Sequence, residues 1–285
     1  MWWLLGAIGC SLIGWGVVSS QRVLYPERRL PLARASIPSC TLHPVMTADG
    51  AAFDVWLLER PSPRGRVLLC HGYYANQDQV LDLALGLRER GYETLMFELR
   101  GHGRRPGPCT LGARESEDAA AALQWAAIRQ GARQALPLAV VGLSMGAVVA
   151  CQVAAHDPRI RALVLDSAYP RFFPILQQAI QRRYRLPAVP WAWVTWCSIQ
   201  LRIGRRLTPL DPMVMAPRLR QPLLAIQGGA DQRVPAEEAR QLYQQWAGPK
   251  ESWSDPSVSH VGMFARDPQR YCDRVAAFLN RHFAG

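Results

Sequence analysis

The chain has 285 residues, a formal net charge of +11, 49% apolar residues and 19% charged residues. That composition excludes a disordered or fibrous chain and supplies ample material for a sizeable core. The seven cysteines, at 10, 40, 70, 109, 151, 197 and 272, form no C-x-x-C pair and no Cys/His cluster of zinc spacing, which argues against a disulfide scaffold or a structural metal.

The charge is uneven along the chain. Residues 1–48 hold Arg22, Arg28, Arg29 and Arg34 against Glu27. Residues 167–210 hold Arg171, Arg182, Arg183, Arg185, Arg202, Arg205 and Arg206 and no acid. The rest is close to neutral. Both basic segments are interleaved with tryptophan and apolar runs, which suits a membrane surface better than a nucleic acid. No nucleic-acid partner is expected.

In chain order, Met1 to Gln21 contains no charged side chain. Residues 2–20 would span about 30 Å as a helix, roughly one bilayer core. Trp2, Trp3 and Trp15 lie inside this run and Tyr25 just beyond it, as interfacial aromatics do. No basic residue precedes the run, unlike a cleaved signal peptide. The expectation is a single-pass membrane anchor over residues 1–21, with the following arginines placing the body on the cytoplasmic side. Pro31, Pro38 and Pro44 mark residues 22–48 as a linker. The body, residues 49–285, alternates strand-like and helical patterns. Apolar strand-like runs occur at 53–58, 67–70, 94–99, 138–141, 162–165 and 223–226, with a weaker one around 252–253. Helical patterns occur at 77–90, 114–130, 145–156, 236–246 and 268–282. This alternation predicts an α/β fold, a mostly parallel sheet with helices on both faces.

The sharpest motif is Gly142-Leu143-Ser144-Met145-Gly146. It follows a buried-strand run and opens an apolar helix, the context that projects a strained serine from a tight turn. His71-Gly72-Tyr73 closes the early run at 67–70, where a backbone N–H can face a developing oxyanion. With Arg100-Gly101-His102-Gly103, Gly228-Gly229-Ala230-Asp231 and a late His260, the order of motifs over residues 50–285 resembles the α/β-hydrolase superfamily. The resemblance implies Ser144 as nucleophile, an acid and then a histidine later in the chain, and an oxyanion hole from the N–H groups of Tyr73 and Met145. Among the later histidines, His156 falls in the helix after the elbow and His282 in a C-terminal helical tail. His260 falls in a Ser/Gly-bounded loop and is the base. Two acids stay open, Asp231 and Asp166. Asp231, followed by Val234-Pro235, resembles the family's acid loop more closely. His71 is expected to hold its turn, and His102 to be structural. Glu98 stands where the family more often has aspartate.

Residues 167–210 are far longer than an ordinary connection and sit where the family inserts a lid. They carry Phe172, Phe173, Trp191, Trp193 and Trp196. The tryptophans could face the pocket, or the lid could also rest on a bilayer. The function expected is a membrane-anchored serine hydrolase cleaving carboxylic esters of acyl or lipid-like substrates, with no metal or organic cofactor. A serine peptidase, a thioesterase and a non-catalytic member of the fold are the alternatives. The sequence leaves the oligomeric state open.

Overall fold

The computed structural model describes residues 2–31, 37, 40–130 and 136–283, with side chains described from residue 9 onward except that of Gln130. The side chains of Trp2 and Trp3, and the whole of Arg34 and Pro38, therefore lie outside what is described. An eight-stranded sheet has the order β1-β2-β4-β3-β5-β6-β7-β8. Its strands are β1 (Cys40–Met46), β2 (Ala52–Leu58), β3 (Arg66–Cys70), β4 (Glu93–Phe97), β5 (Leu138–Leu143), β6 (Ile160–Asp166), β7 (Leu223–Gly228) and β8 (Lys250–Asp255). Strands β1 and β2 pair antiparallel, as do β2 and β4; every other pairing is parallel.

The central strands are buried on both faces, so their sequences read as unbroken apolar runs rather than alternating ones. Alternation reappears in what each residue touches. Leu138 and Val140 of β5 join the core cluster on one face, while Ala139, Val141 and Leu143 join the other. Leu68 and Cys70 of β3 divide from Val67 and Leu69 in the same way. Helices α2 (Asp78–Glu89) and α10 (Pro268–Phe283) cover the second face, and α3 (Glu115–Gln130) and α4 (Met145–His156) the first. The helices expected from periodicity sit within a residue or two of these bounds.

Between β6 and β7 the chain inserts α5 (Phe172–Tyr184), α6 (Ala188–Ile203) and the short α7 (Pro212–Met215). Trp196 stacks on Phe172 with ring centroids 5.6 Å apart, Trp193 meets Phe173, and Trp191 meets Trp15. The tryptophans thus bind α6 to its helical neighbours and, among the described residues, none lines the main cavity.

The N-terminal segment departs from expectation. Among the described residues no helix is long and apolar enough to cross a membrane. Helix α1 (Trp2–Leu24) runs past the predicted boundary at residue 21, and its second half is packed into the fold. A Cβ on Gly16 would lie 2.8 Å from Val194 Cγ1, so only glycine lets α1 approach α6 this closely. Ser19 Oγ lies 2.7 Å from Thr195 Oγ1, Ser20 Oγ lies 2.9 Å from Ser198 Oγ, and Trp15 Nε1 donates to Thr195 Oγ1 at 3.0 Å. Leu24 is buried, and its carbonyl accepts the Cys109 N–H. The segment is therefore not a separable anchor from residue 15 onward. The predicted linker also contains β1, an edge strand with only intermittent burial, where Pro44 is tolerated because the outer edge needs no N–H.

Candidate active site

The site is built at the carboxyl ends of the parallel strands, where ligands bind in open α/β sheets. Strand β5 turns directly into α4 through Ser144, whose φ of 53° and ψ of −112° are sparsely populated for a side-chain-bearing residue. Such a conformation costs on the order of 1–3 kcal/mol and persists only where its surroundings force it. They do so here. The Ser144 N–H donates to the Asp166 carbonyl at 2.8 Å, and the Ser144 carbonyl accepts the Ala147 N–H at 3.0 Å. A Cβ on Gly146 would lie 2.1 Å from the Cys70 carbonyl oxygen, and one on Gly142 would lie 2.3 Å from that of Gly146. Both glycines of the motif are thus steric requirements of the turn.

His260 follows β8 in the loop before α9 (Met263–Arg266). Its Nε2 lies 2.9 Å from Ser144 Oγ and its Nδ1 lies 2.7 Å from Asp231 Oδ2. A carboxylate only accepts, so the imidazole proton is assigned to Nδ1 and the Nε2 lone pair faces the serine hydroxyl. Asp231 Oδ1 accepts the N–H groups of Arg233 and Val234 at 2.8 and 2.9 Å. Burial works against the Asp231 charge. The hydrogen bonds from His260 and the backbone outweigh it together and hold the carboxyl below its ordinary value.

The other acid, Asp166, faces elsewhere. Tyr271 Oη donates to its Oδ2 at 3.0 Å and Ser167 Oγ to its Oδ1 at 2.9 Å. Burial pushes the carboxyl up to about 6. Ser167 Oγ also accepts the Val261 N–H at 2.9 Å, so Asp166 supports the histidine loop without touching His260. Ser167, which the sequence reading passed over, is the link. Its left-handed φ of 54° is the local sign of it, visible only in three dimensions.

Tyr73 and Met145 both border the cavity above Ser144. Met145 is the first residue of α4, where a backbone N–H has no intrahelical acceptor. The turn carrying Tyr73 is held by the Gly72 N–H donating to Gln79 Oε1 at 2.7 Å. His71 is fully buried. It accepts the Leu99 N–H at Nε2 and donates from Nδ1 to the Gly72 carbonyl, and burial drives its pKa down to about 3. It is a neutral strut in the turn. His102 is buried beside Tyr73 and bonds the Arg100 carbonyl. Glu98 reaches the Arg104 N–H at 2.6 Å, and a Cβ on Gly103 would meet its carboxyl, so the longer side chain fills the turn.

The cavity over Ser144 measures about 720 Å³. Phe172, Ile175, Leu176 and Ala179 of α5 form one wall and Tyr169 and Leu111 another. Val23 of α1 also lines it, and its carbonyl accepts the Tyr73 hydroxyl at 2.7 Å. Val23 falls just past the predicted anchor, in the stretch expected to be a linker, so a residue expected only to connect closes one side of the site.

Residues 61–207, more than half of the chain, match the family described as serine aminopeptidase, S33. The chain belongs to that family of α/β hydrolases. An uncharacterized protein of Mycobacterium tuberculosis is 29% identical over 280 residues, covering 94% of this chain and 92% of its own. Among solved structures, the Pyrococcus furiosus esterase Pf2001 superposes with a TM-score of 0.73 at 22% identity, over 91% of this chain and 100% of its own. The esterase domain from a Rhodothermus marinus protein gives 0.61 at 20% identity, over 86% and 99%. At those identities the structures speak for the fold. Family and fold together make this α/β hydrolase a member of a hydrolytic group.

Proposed function

We propose that the protein is a serine hydrolase that cleaves carboxylic esters of acyl or lipid-like small molecules. The observation that carries this is the hydrogen-bonded line Asp231–His260–Ser144, ending on a strained serine in a largely apolar cavity. Ser144 Oγ attacks the acyl carbon as His260 Nε2 takes its proton. Asp231 keeps the imidazole tautomer and stabilises the imidazolium. The Tyr73 and Met145 N–H groups receive the oxyanion, each worth about 3 kcal/mol in comparable chemistry. His260 returns the proton to the leaving alcohol, and water then releases the acid through the same groups.

An aminopeptidase must bind a free ammonium group, which calls for a carboxylate beside the scissile bond. Among the described residues no Asp or Glu lines the main cavity, while Arg182 and Arg233 do. That favours an ester over an amino-terminal peptide. A chain-length series of nitrophenyl esters beside aminoacyl-nitroanilides tests it. Ester turnover with a preferred acyl length is expected; turnover of the anilides alone would contradict it.

We further propose that the outer face of α1 and α6 rests on an anionic bilayer surface, with the body on the cytoplasmic side. Ile13 and Val17 of α1 are 68% and 55% exposed, and Trp193 and Leu201 of α6 are 52% and 83% exposed. Exposed Arg183, Arg185 and Arg206 lie close by in sequence, and among the described residues none is in an ion pair. Arg205 is bound to Glu117 and belongs to the fold. The full-length protein should float with anionic vesicles at low salt and release as salt screens the contact over roughly 8–10 Å. Equal flotation with neutral vesicles would contradict the charge-based reading.

A further inference from the structure

The walls of the cavity are apolar, but its solvent-facing rim is not. Arg182, one turn beyond Gln178 on α5, and Arg233, two residues after Asp231, are both exposed and both line it. Arg182 Nη2 donates to the Gln232 carbonyl at 2.7 Å, which ties the end of α5 to the acid loop. An adjoining vestibule of about 530 Å³ shares Tyr73, Tyr74, Gln79 and Arg233 with the cavity and adds Arg29. Asp78 is the one carboxylate lining either space among the described residues. Among the described residues no ion pair engages Arg29, Arg182 or Arg233, although arginines elsewhere, such as Arg205 and Arg240, are paired. Three cations gathered at the mouth of a low-dielectric cleft, against the single carboxylate of Asp78, raise the local concentration of anions.

The position of Arg233 selects a side of the substrate. Its backbone N–H is bound to Asp231, the residue that orients His260. The leaving alcohol must sit on that side, because His260 hands it the proton. The apolar chamber of Val23, Leu111, Phe172 and Leu176 is left for the acyl chain.

We propose that the ester cleaved here carries an anionic group, a carboxylate or a phosphate, on its alcohol side, held by Arg182 and Arg233 with Arg29 behind them. This rests on the serine-hydrolase reading. The serine oxygen forms a bond to the acyl carbon as the bond to the anionic alcohol breaks. The serine proton passes through His260 to that alcohol, and water then splits the acyl-enzyme to the free acid and the serine hydroxyl.

The test uses one acyl chain on three phenols that differ only in a meta substituent: a neutral methyl ester, a carboxylate or a phosphate. The wild-type protein should favour an anionic ester by about tenfold or more in kcat/KM at low salt, the scale expected of steering, and salt should erode that preference. Arg182→Ala with Arg233→Ala should bring the ratio close to one, and the paired Lys substitutions should restore part of it. The arm with the larger arginine-dependent preference identifies the group. A wild-type ratio near one, or a ratio untouched in the double variant, overturns the proposal. Labelling by a neutral fluorophosphonate separates the two layers. Labelling without anion preference overturns this inference alone, whereas no labelling and no ester turnover overturn the serine-hydrolase reading and this inference with it.

Discussion

Ser144→Ala is expected to lower ester turnover by at least about 10³-fold, and by up to about 10⁶-fold if chemistry limits the wild-type rate. Among the described residues the hydroxyl is the one group hydrogen-bonded to His260 Nε2, at 2.9 Å. Its removal leaves the cavity, the oxyanion donors and the turn in place, so residual hydrolysis by activated water is all that should remain. The fold should survive, because the backbone bonds to Asp166 and Ala147 do not involve the side chain. His260→Ala should cost a similar factor. The double variant should cost little more than either alone, since residues acting as one unit are not additive. Steady-state kinetics with circular dichroism on each variant checks this. Near wild-type turnover in Ser144→Ala protein would remove the nucleophile assignment.

The second large effect separates the two acids. Asp231→Asn should lower kcat by about 10⁴-fold, because an amide beside Nδ1 no longer fixes the tautomer that leaves Nε2 free to accept the serine proton. Asp166→Asn should retain most of the activity, since Asp166 meets Tyr271 and Ser167 rather than the imidazole. Its signature belongs to stability. An Asp in the unfolded chain titrates near 4, whereas this one titrates at about 6. With the folded value raised, the unfolded state loses its proton first as pH rises. The group's contribution is therefore greatest below about 4 and declines until the folded carboxyl has ionised, about pH 6. The Tm difference between wild type and Asp166→Asn should shift against the wild type across that window and level off above it. A Tm difference flat from pH 4 to 7 would contradict the burial argument. A severe activity loss in Asp166→Asn with little in Asp231→Asn would reverse the roles.

What was legible in the chain was local. The elbow could be read because its steric demand falls on Gly142 and Gly146 themselves, and the acid loop because Asp231 bonds N–H groups two and three residues on. The central strands could be read because burial on both faces makes them continuously apolar. Strand β1 was missed because an edge strand with a proline and mostly exposed residues has little hydrophobic pattern to show. The N-terminal helix was misplaced for a different reason. Its run lacks charge, but Gly16, Ser19 and Ser20 form a small, polar stripe that fits Thr195 and Ser198, about 180 residues away. Hydropathy averages that stripe away, and only the partner helix gives it meaning. The insertion's arginines read as one basic patch, yet they separate in space into a rim over the site, a pair with Glu117 and an exposed remainder.

The central claim is that Ser144 is an activated nucleophile. The most direct measurement is the intact mass of the full-length protein after brief exposure to a fluorophosphonate, followed by peptide mapping. The account predicts a single phosphonyl adduct on Ser144, formed rapidly by the wild type and absent in Ser144→Ala. Asp231→Asn should slow it by orders of magnitude while Asp166→Asn leaves it fast. An adduct at another serine, or none on protein that still hydrolyses esters, would contradict it.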